Sequence, residues 1–346
     1  MKVNFLDPEL KEWEKLCADE GWPKYKAKQI YRWQGRGIES FDEMSDVSKA
    51  MRARLAELYY PGLPKLKEHY SSHTDHSEKF ALELEDGQRI ESVLMRHNYG
   101  NSACISTQAG CKMGCKFCAS TGLRFARDLS AGEMLSQILF IQRHSGEEIA
   151  RLDLMGIGEP LDNYEETVRF IRKCQDDAIL GLSPRKVSLS TCGLVPEIYQ
   201  LAKEGLPVTL TISLHAPEQK LREKIMPIAK KYDLADLISA ADFYFSESGR
   251  RISYEYALFA DVNDSVEDAH SLADLLHGKN CHVNLIPANT VEGTGLLGSK
   301  ADSVKTFASV LEKRRIQVTV RRSLGQDIQA ACGQLRRSSL LAREGR

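Results

Sequence analysis

The run Cys111-Lys-Met-Gly-Cys115-Lys-Phe-Cys118 sets three thiols at C-x-x-x-C-x-x-C spacing. Three thiolates spaced in this way can hold three irons of a cubane iron–sulfur cluster and leave the fourth iron without a protein ligand. Structural zinc is the competing use of such cysteines. Zinc wants four ligands, commonly as C-x-x-C pairs, and this sequence has no second pair. A coordinatively open iron can take up a chelating small molecule. The spacing therefore points to a redox-active centre at which a cofactor carries the organic chemistry and the protein supplies position.

Outward from that loop, the composition is that of a globular protein. The 346 residues, 42% hydrophobic, suffice for one large domain and a small appendage. The start MKVNFLDPELKEW has no apolar signal core, and no run approaches the roughly 18 apolar residues of a spanning helix. The expectation is a cytoplasmic monomer with no membrane partner. Nine cysteines, three of them closely packed, suit a reducing compartment, and the odd count argues against a disulfide scaffold. A net charge of −1 excludes a protein that is a polyanion binder over its whole surface. Two local clusters make RNA a reasonable partner. In one, Lys24, Lys26, Lys28, Arg32 and Arg36 interleave with Trp22, Tyr25, Tyr31 and Trp33; in the other, Arg321, Arg322, Arg336, Arg337, Arg343 and Arg346 crowd the C-terminus.

Residues 1–65 read as a helical accessory unit, expected to bind RNA: Asp7-Pro8 and Pro23 open helices, Met51 to Tyr60 carries a third apolar stripe, and Pro61-Gly-Leu-Pro64 ends it. Residues 66–99 read as a β-hairpin extension, with Phe80, Leu82 and Leu84 alternating, a turn at Asp86-Gly87, and a return over Ile90 to Met95. From residue 100 to 300 strand-like runs (ACIST, RLDLMGIG, KVSLST, VTLTISLH, ISYEYALF, HVNLIP) alternate with helical stretches, and IQVTVRR follows within the C-terminal segment 301–346. Strand then helix, repeated, implies an α/β fold with a parallel sheet whose active groups gather at the strands' C-terminal ends. A doubly wound open sheet would give the same alternation. The cysteine loop after the first strand, however, resembles the radical-SAM superfamily, which implies a partial (β/α)6 barrel, a 4Fe-4S cluster and S-adenosylmethionine.

Four loops at predicted strand ends could enclose that cofactor. Met155-Gly-Ile-Gly158-Glu159-Pro160 offers glycines for close backbone approach and a carboxylate to accept from the methionyl amine. Ser190-Thr191, Ser213-Leu214-His215 and Ile286-Pro287-Ala288-Asn289 add hydroxyl, imidazole and amide groups. A Gly-x-Gly-Glu turn or a lone core histidine means little alone; their recurrence at successive strand ends favours binding.

Over nearly the whole chain these loops resemble the RlmN/Cfr family of radical-SAM RNA methyltransferases. Gln326-Asp-Ile-Gln-Ala-Ala-Cys332-Gly-Gln-Leu335 matches its terminal motif, Cys104 its second functional cysteine, and Glu91 lies in a similar Arg-Ile-Glu-Ser context. The resemblance implies that the Cys332 thiolate takes a methyl from one S-adenosylmethionine. A second, cleaved reductively, activates that methyl for addition to adenine, and Cys104 then resolves the adduct by forming a disulfide with Cys332. Glu91 is implied as proton acceptor, against a plainer reading as a strand-edge glutamate paired with Arg89 or Arg96. The implied partners are 23S rRNA, with tRNA a further candidate, and a flavodoxin or ferredoxin electron donor. Pro160 and the Cys118-Ala-Ser-Thr121 run look more like the carbon-2 enzymes than the carbon-8 resistance enzymes, which stay the alternative. A zinc-stabilised RNA-binding protein is the alternative from another class. No role for Cys192 follows from the sequence, and Cys17, Cys174 and Cys281 read as packed interior residues.

Overall fold

The computed structural model describes residues 2–122, 124–288, 295–321, 324–331 and 333–335. Ten strands form one sheet: β1 Lys65–Ser71, β2 Glu78–Glu83, β3 Arg89–Met95, β4 Asn101–Cys104, β5 Ile149–Leu154, β6 Val187–Thr191, β7 Thr209–Ser213, β8 Ile252–Leu258, β9 Cys281–Pro287 and β10 Gln317–Val320. Their order in space is their order in sequence. β1 to β4 pair antiparallel and β4 to β10 pair parallel. The parallel part has seven strands: the six expected, and β10 from the IQVTVRR run.

Helices between the parallel strands cover one face. Helix α4, Ala131–Ser145, shows why the sequence places one there. Ser130 Oγ accepts from the Glu133 amide at 3.2 Å while the Glu133 carboxylate accepts from the Ser130 amide at 3.0 Å, a reciprocal cap that satisfies amides the first turn leaves unpaired. Gly146, at φ 72°, ends the helix in the left-handed conformation that costs glycine least. Helix α5, Tyr164–Gln175, packs beside it.

The segment read as a hairpin has three strands and continues the main sheet. Its turn forms at Gly87, φ 80°, as expected. Helices α1 Leu10–Asp19, α2 Tyr25–Gln34 and α3 Lys49–Leu58 form the N-terminal unit, and its Phe5, Leu6, Trp13 and Ile30 belong to the same continuous core as α4 and the sheet. Lys173 of α5 fastens the two together: buried at 5% exposure, its ammonium donates to the carbonyls of Leu6, Asp7 and Pro8. Burial pulls its pKa down to about 8.

The aromatic residues of α2 are a correction to the sequence reading. Ala27, Ile30, Tyr31 and Gln34 make the buried stripe, Tyr31 donates to Asp176 at 3.1 Å, and buried Trp33 donates to Asp46 at 2.6 Å. Only the basic side chains and Tyr25, 61% exposed, face outward from this helix as a group that RNA could meet.

Candidate active site

The cysteine loop follows β4 and is pinched between two short antiparallel pieces, Gln108–Ala109 and Arg127–Asp128. The Lys116 amide donates to the Ile225 carbonyl at 2.9 Å and so docks the loop on helix α7, Gln219–Ile225, which follows α6, Val195–Ala202, in the chain. Cys111, Cys115 and Cys118 line one cavity together with Gly158, Glu159, Ser190, Cys192, Ser213, His215, Glu255 and Ile286. Each of these non-cysteine groups sits in or just after β5, β6, β7, β8 or β9, so the cavity lies at the C-terminal ends of the parallel strands.

The donor set fits an iron–sulfur cluster better than one metal ion. Ligands of a tetrahedral zinc, with Zn–S near 2.3 Å, lie about 3.8 Å apart. Among the described residues the group of three such donors within 4.8 Å of one another is His69 on β1, Glu78 on β2 and His144 on α4; the three cysteine sulfurs are spread more widely. Burial, reinforced by the neighbouring thiols, pushes Cys111 up to about 11 and raises Cys115 as well. These thiols need a bound cation to ionise, as metal ligands do.

Gly156 and Gly158 of the 155–160 loop line the cavity, and beyond the ligand approach expected of them the protein's own packing requires glycine at both positions. A Cβ on Gly156 would stand 2.5 Å from the Ile105 carbonyl oxygen; one on Gly158, at φ 114°, would stand 2.7 Å from Thr107 Oγ1. The loop is laced to the 105–108 segment by Gly156 N–H to Ile105 O at 3.0 Å and Thr107 N–H to Ile157 O at 2.9 Å. Glu159, 3% exposed, accepts from the Leu161 amide at 3.0 Å on one oxygen and from the Cys192 amide at 2.7 Å on the other. It thereby ties the β5 loop to the β6 loop, and burial raises its pKa. Cys192, for which no role follows from the sequence, takes part in this tie through its backbone amide.

His215 holds a left-handed φ of 56° at 4% exposure. Its Nδ1 accepts from the Ala257 amide at 2.9 Å, which assigns the proton of the neutral ring to Nε2. Burial pushes its pKa down to about 3, so it is a neutral donor in this cavity. Asn263 fixes it by donating to the carbonyls of His215 and Ala257 at 2.8 and 2.7 Å. Phe117 of the cysteine loop meets the ring edge-on at 4.6 Å. Leu214 is fully buried, and its carbonyl accepts from Arg222 at 3.2 Å.

Two residues lining this cavity or flanking it escaped the sequence reading. Glu255, 4% exposed on β8, accepts from Asn284 at 3.0 Å and lies 3.7 Å from Arg321, with burial raising its pKa. Its alternation within ISYEYALF was the available signal. Arg222 had no signal.

A second, larger cleft opens alongside and is lined by Cys104, Cys118, Met155, Glu255, Arg321, Ala331 and Gly333. Cys104 packs with Ala330, Leu324 and Leu335 of the C-terminal segment over Val93, Met95 and Ile157. Gly333 O accepts from the Ala119 amide at 2.8 Å and Leu335 O from Ser120 Oγ at 3.1 Å, so residues near position 332 are bonded to the cysteine loop. Cys332 and Asn289 themselves lie outside the described residues, as do Arg322, Arg336, Arg337, Arg343 and Arg346. Glu91 is 2% exposed on an interior strand and its carboxylate is 3.9 Å from the Lys79 ammonium. Arg96, offered as its partner by the plainer reading, forks between Glu78 and Glu147. Cys17, Cys174, Cys192 and Cys281 are buried, as three of them were read.

The comparisons with known proteins agree with this geometry. Residues 105–273 match the radical SAM superfamily and residues 3–60 the ribosomal RNA large subunit methyltransferase N-terminal domain. The chain is 46% identical to a probable dual-specificity RNA methyltransferase RlmN of Clostridium botulinum, covering 99% of both chains, and 47% identical to that of Alkaliphilus oremlandii, covering 98% and 99%. A solved radical SAM methyltransferase from Sphaerobacter thermophilus superposes with a TM-score of 0.93 at 38% identity over 96% of this chain and 99% of that one. A three-thiol cavity at the strand ends, likeness along the full length, and both domain matches lead to one conclusion: the chain belongs to the RlmN family of radical-SAM RNA methyltransferases.

Proposed function

We propose that the protein methylates carbon 2 of an adenosine in large-subunit 23S rRNA, with tRNA as a second substrate to be tested. Family membership brings a 4Fe-4S cluster and S-adenosylmethionine, which together supply one-electron cleavage to a carbon radical. Carbon 2 of adenine is electron-poor and cannot attack a methyl sulfonium directly, so the methyl must first be carried elsewhere. On this reading Cys332 carries it, since a thiolate displaces a methyl readily, and Cys104 resolves the adduct.

The observation that carries the reading is the shared cleft: Cys104, Cys118 and both neighbours of position 332 line one opening beside the three-thiol cavity. Glu91, Val93 and Met95 share a face of β3 by alternation, and Val93 and Met95 pack with Cys104, which supports Glu91 as proton acceptor beside the adduct. A target base must leave its stack to enter such a cleft, so loop RNA is the substrate class. Exposed Lys28 and Arg32 on α2, with Lys24 and Arg36 flanking its ends, supply phosphate contacts. The electron comes from a flavodoxin- or ferredoxin-type donor in a reducing cytoplasm. Among the described residues no helix is long and apolar enough to cross a membrane.

The test is anaerobic incubation of reconstituted protein with large-subunit rRNA, S-adenosylmethionine and reductant, followed by mass spectrometry of the nucleosides. Co-elution with 2-methyladenosine supports the proposal. The 8-methyl isomer would replace it with the carbon-8 reading, and multiple turnover by Cys332→Ala would refute the role of the thiol.

A further inference from the structure

Arg222 of α7 is 0% exposed, yet among the described residues no carboxylate lies within ion-pairing distance of it. Its hydrogen-bond acceptors are neutral carbonyls at two strand ends: Nε donates to Leu214 at 3.2 Å, and Nη2 to Cys192 at 2.6 Å and Ser213 at 3.3 Å. Nη1 is buried with no acceptor among the described residues. Carbonyls satisfy hydrogen bonds without neutralising charge, and an unpaired buried ion is strongly disfavoured because it has lost its hydration. Arginine cannot escape that cost by losing its proton. Cys192 and Ser213, whose carbonyls it holds, line the three-thiol cavity, and its charge acts on the thiols of Cys192 and Cys115. Glu159, the other buried acid of the β5–β6 ends, is held by the Leu161 and Cys192 amides and makes no ion pair with Arg222.

A three-thiolate 4Fe-4S centre supplies the missing charge. Its oxidised form carries formally one net negative charge, and uptake of one electron adds a second. We propose that Arg222 is the buried counter-charge of this cluster and eases its reduction by stabilising the more negative, reduced state. The inference rests on the cluster assigned to Cys111, Cys115 and Cys118. Arg222 is a positioning residue in this scheme: the electron passes from a one-electron donor to the cluster, and no bond to Arg222 forms or breaks. The guanidinium acts because low-dielectric surroundings magnify the interaction of nearby charges.

The test is an EPR-monitored potentiometric titration of reconstituted holoenzyme, with dithionite as electron donor, in the wild type, Arg222→Gln and Arg222→Lys. Gln keeps an amide donor and removes the charge; Lys keeps the charge. The expected result is that Arg222→Gln has at least a tenfold lower ratio of reduced to oxidised cluster at a fixed potential, a midpoint about 59 mV lower for a one-electron couple, while Arg222→Lys stays nearer the wild type. An unchanged midpoint in a fully iron-loaded Gln variant would overturn the proposal. A second cycle covers failure of the Gln variant to load. Arg222→Met is compared in cluster-loaded protein and in a Cys111→Ser/Cys115→Ser/Cys118→Ser background that holds no cluster. Counter-charge predicts a larger loss of melting temperature in the loaded background; equal shifts would make Arg222 a structural peg and refute it. Absence of iron from reconstituted wild type would refute the cluster assignment instead, so the two failures are distinguishable.

Discussion

Gly158→Ala is the sharpest test of how the cavity is built. At φ 114° an alanine is held in a region open mainly to glycine, and its methyl would sit 2.7 Å from Thr107 Oγ1 and 2.8 Å from both the Cβ and the amide nitrogen of Gln108. The backbone strain is about 1–2 kcal/mol, and displacing packed neighbours adds about 1–3 kcal/mol. Gln108 in turn accepts from the Glu159 amide at 2.9 Å, so the shift reaches the carboxylate that joins the β5 and β6 loops. Gly87→Ala is the control: φ is 80° and nothing lies within 4 Å of the added methyl, leaving strain alone. Urea unfolding of metal-free protein at pH 7 should therefore show a loss of about 2–5 kcal/mol for Gly158→Ala and about 1–2 kcal/mol for Gly87→Ala. Equilibrium dialysis should show weaker S-adenosylmethionine binding only for the former. If Gly158→Ala were no more destabilising than Gly87→Ala, close approach of the 105–108 segment would not be the reason for glycine.

Three further outcomes are expected. The folded-state pKa of His215 lies below its ordinary 6.5, so the stability contributed by the neutral ring is complete above pH 6.5 and is lost as pH falls. Urea unfolding should show the wild type losing about 2 kcal/mol more than His215→Asn between pH 6.5 and 5; parallel losses would contradict a buried neutral imidazole. Glu255 has the opposite sign: with its folded pKa raised, its ionisation penalises the fold as pH rises above 4.5, so metal-free Glu255→Gln should melt higher than wild type at pH 7 and lose that advantage below pH 4.5. Removing residues 1–65 should cost several degrees of melting temperature and expose Lys173, because the N-terminal unit shares the main core; a truncated protein as stable as the full chain would show the unit to be independent.

The grouping of the three cysteines with the strand-end loops around one cavity was legible because it depends on local separation: three thiols lie within one loop, and each βα connection carries its group at a fixed place. What stayed hidden depends on distant contacts. The ring of His215 is set by Ala257 and Asn263, far along the chain, and the need for glycine at 156 and 158 comes from residues 105–108. Arg222 sits among Lys220, Glu223 and Lys224, where no local pattern marks one charged residue as buried. The aromatic residues of α2 are different. Ala27, Ile30, Tyr31 and Gln34 fall at i, i+3, i+4 and i+7, so helical periodicity alone places Tyr31 inside; the attraction of a basic-aromatic cluster outweighed it.

The sheet's spatial order follows the chain from β1 to β10, and this has a bearing on synthesis. Each strand leaving the ribosome finds its partner in the strand made just before it, so pairing can proceed in step with translation and no early strand waits exposed for a late neighbour. The three-cysteine loop emerges after β4, while the walls supplied by β6 to β9 and the covering segment near residue 333 come afterwards. A nascent chain thus presents Cys111, Cys115 and Cys118 to solvent before the chamber around them exists.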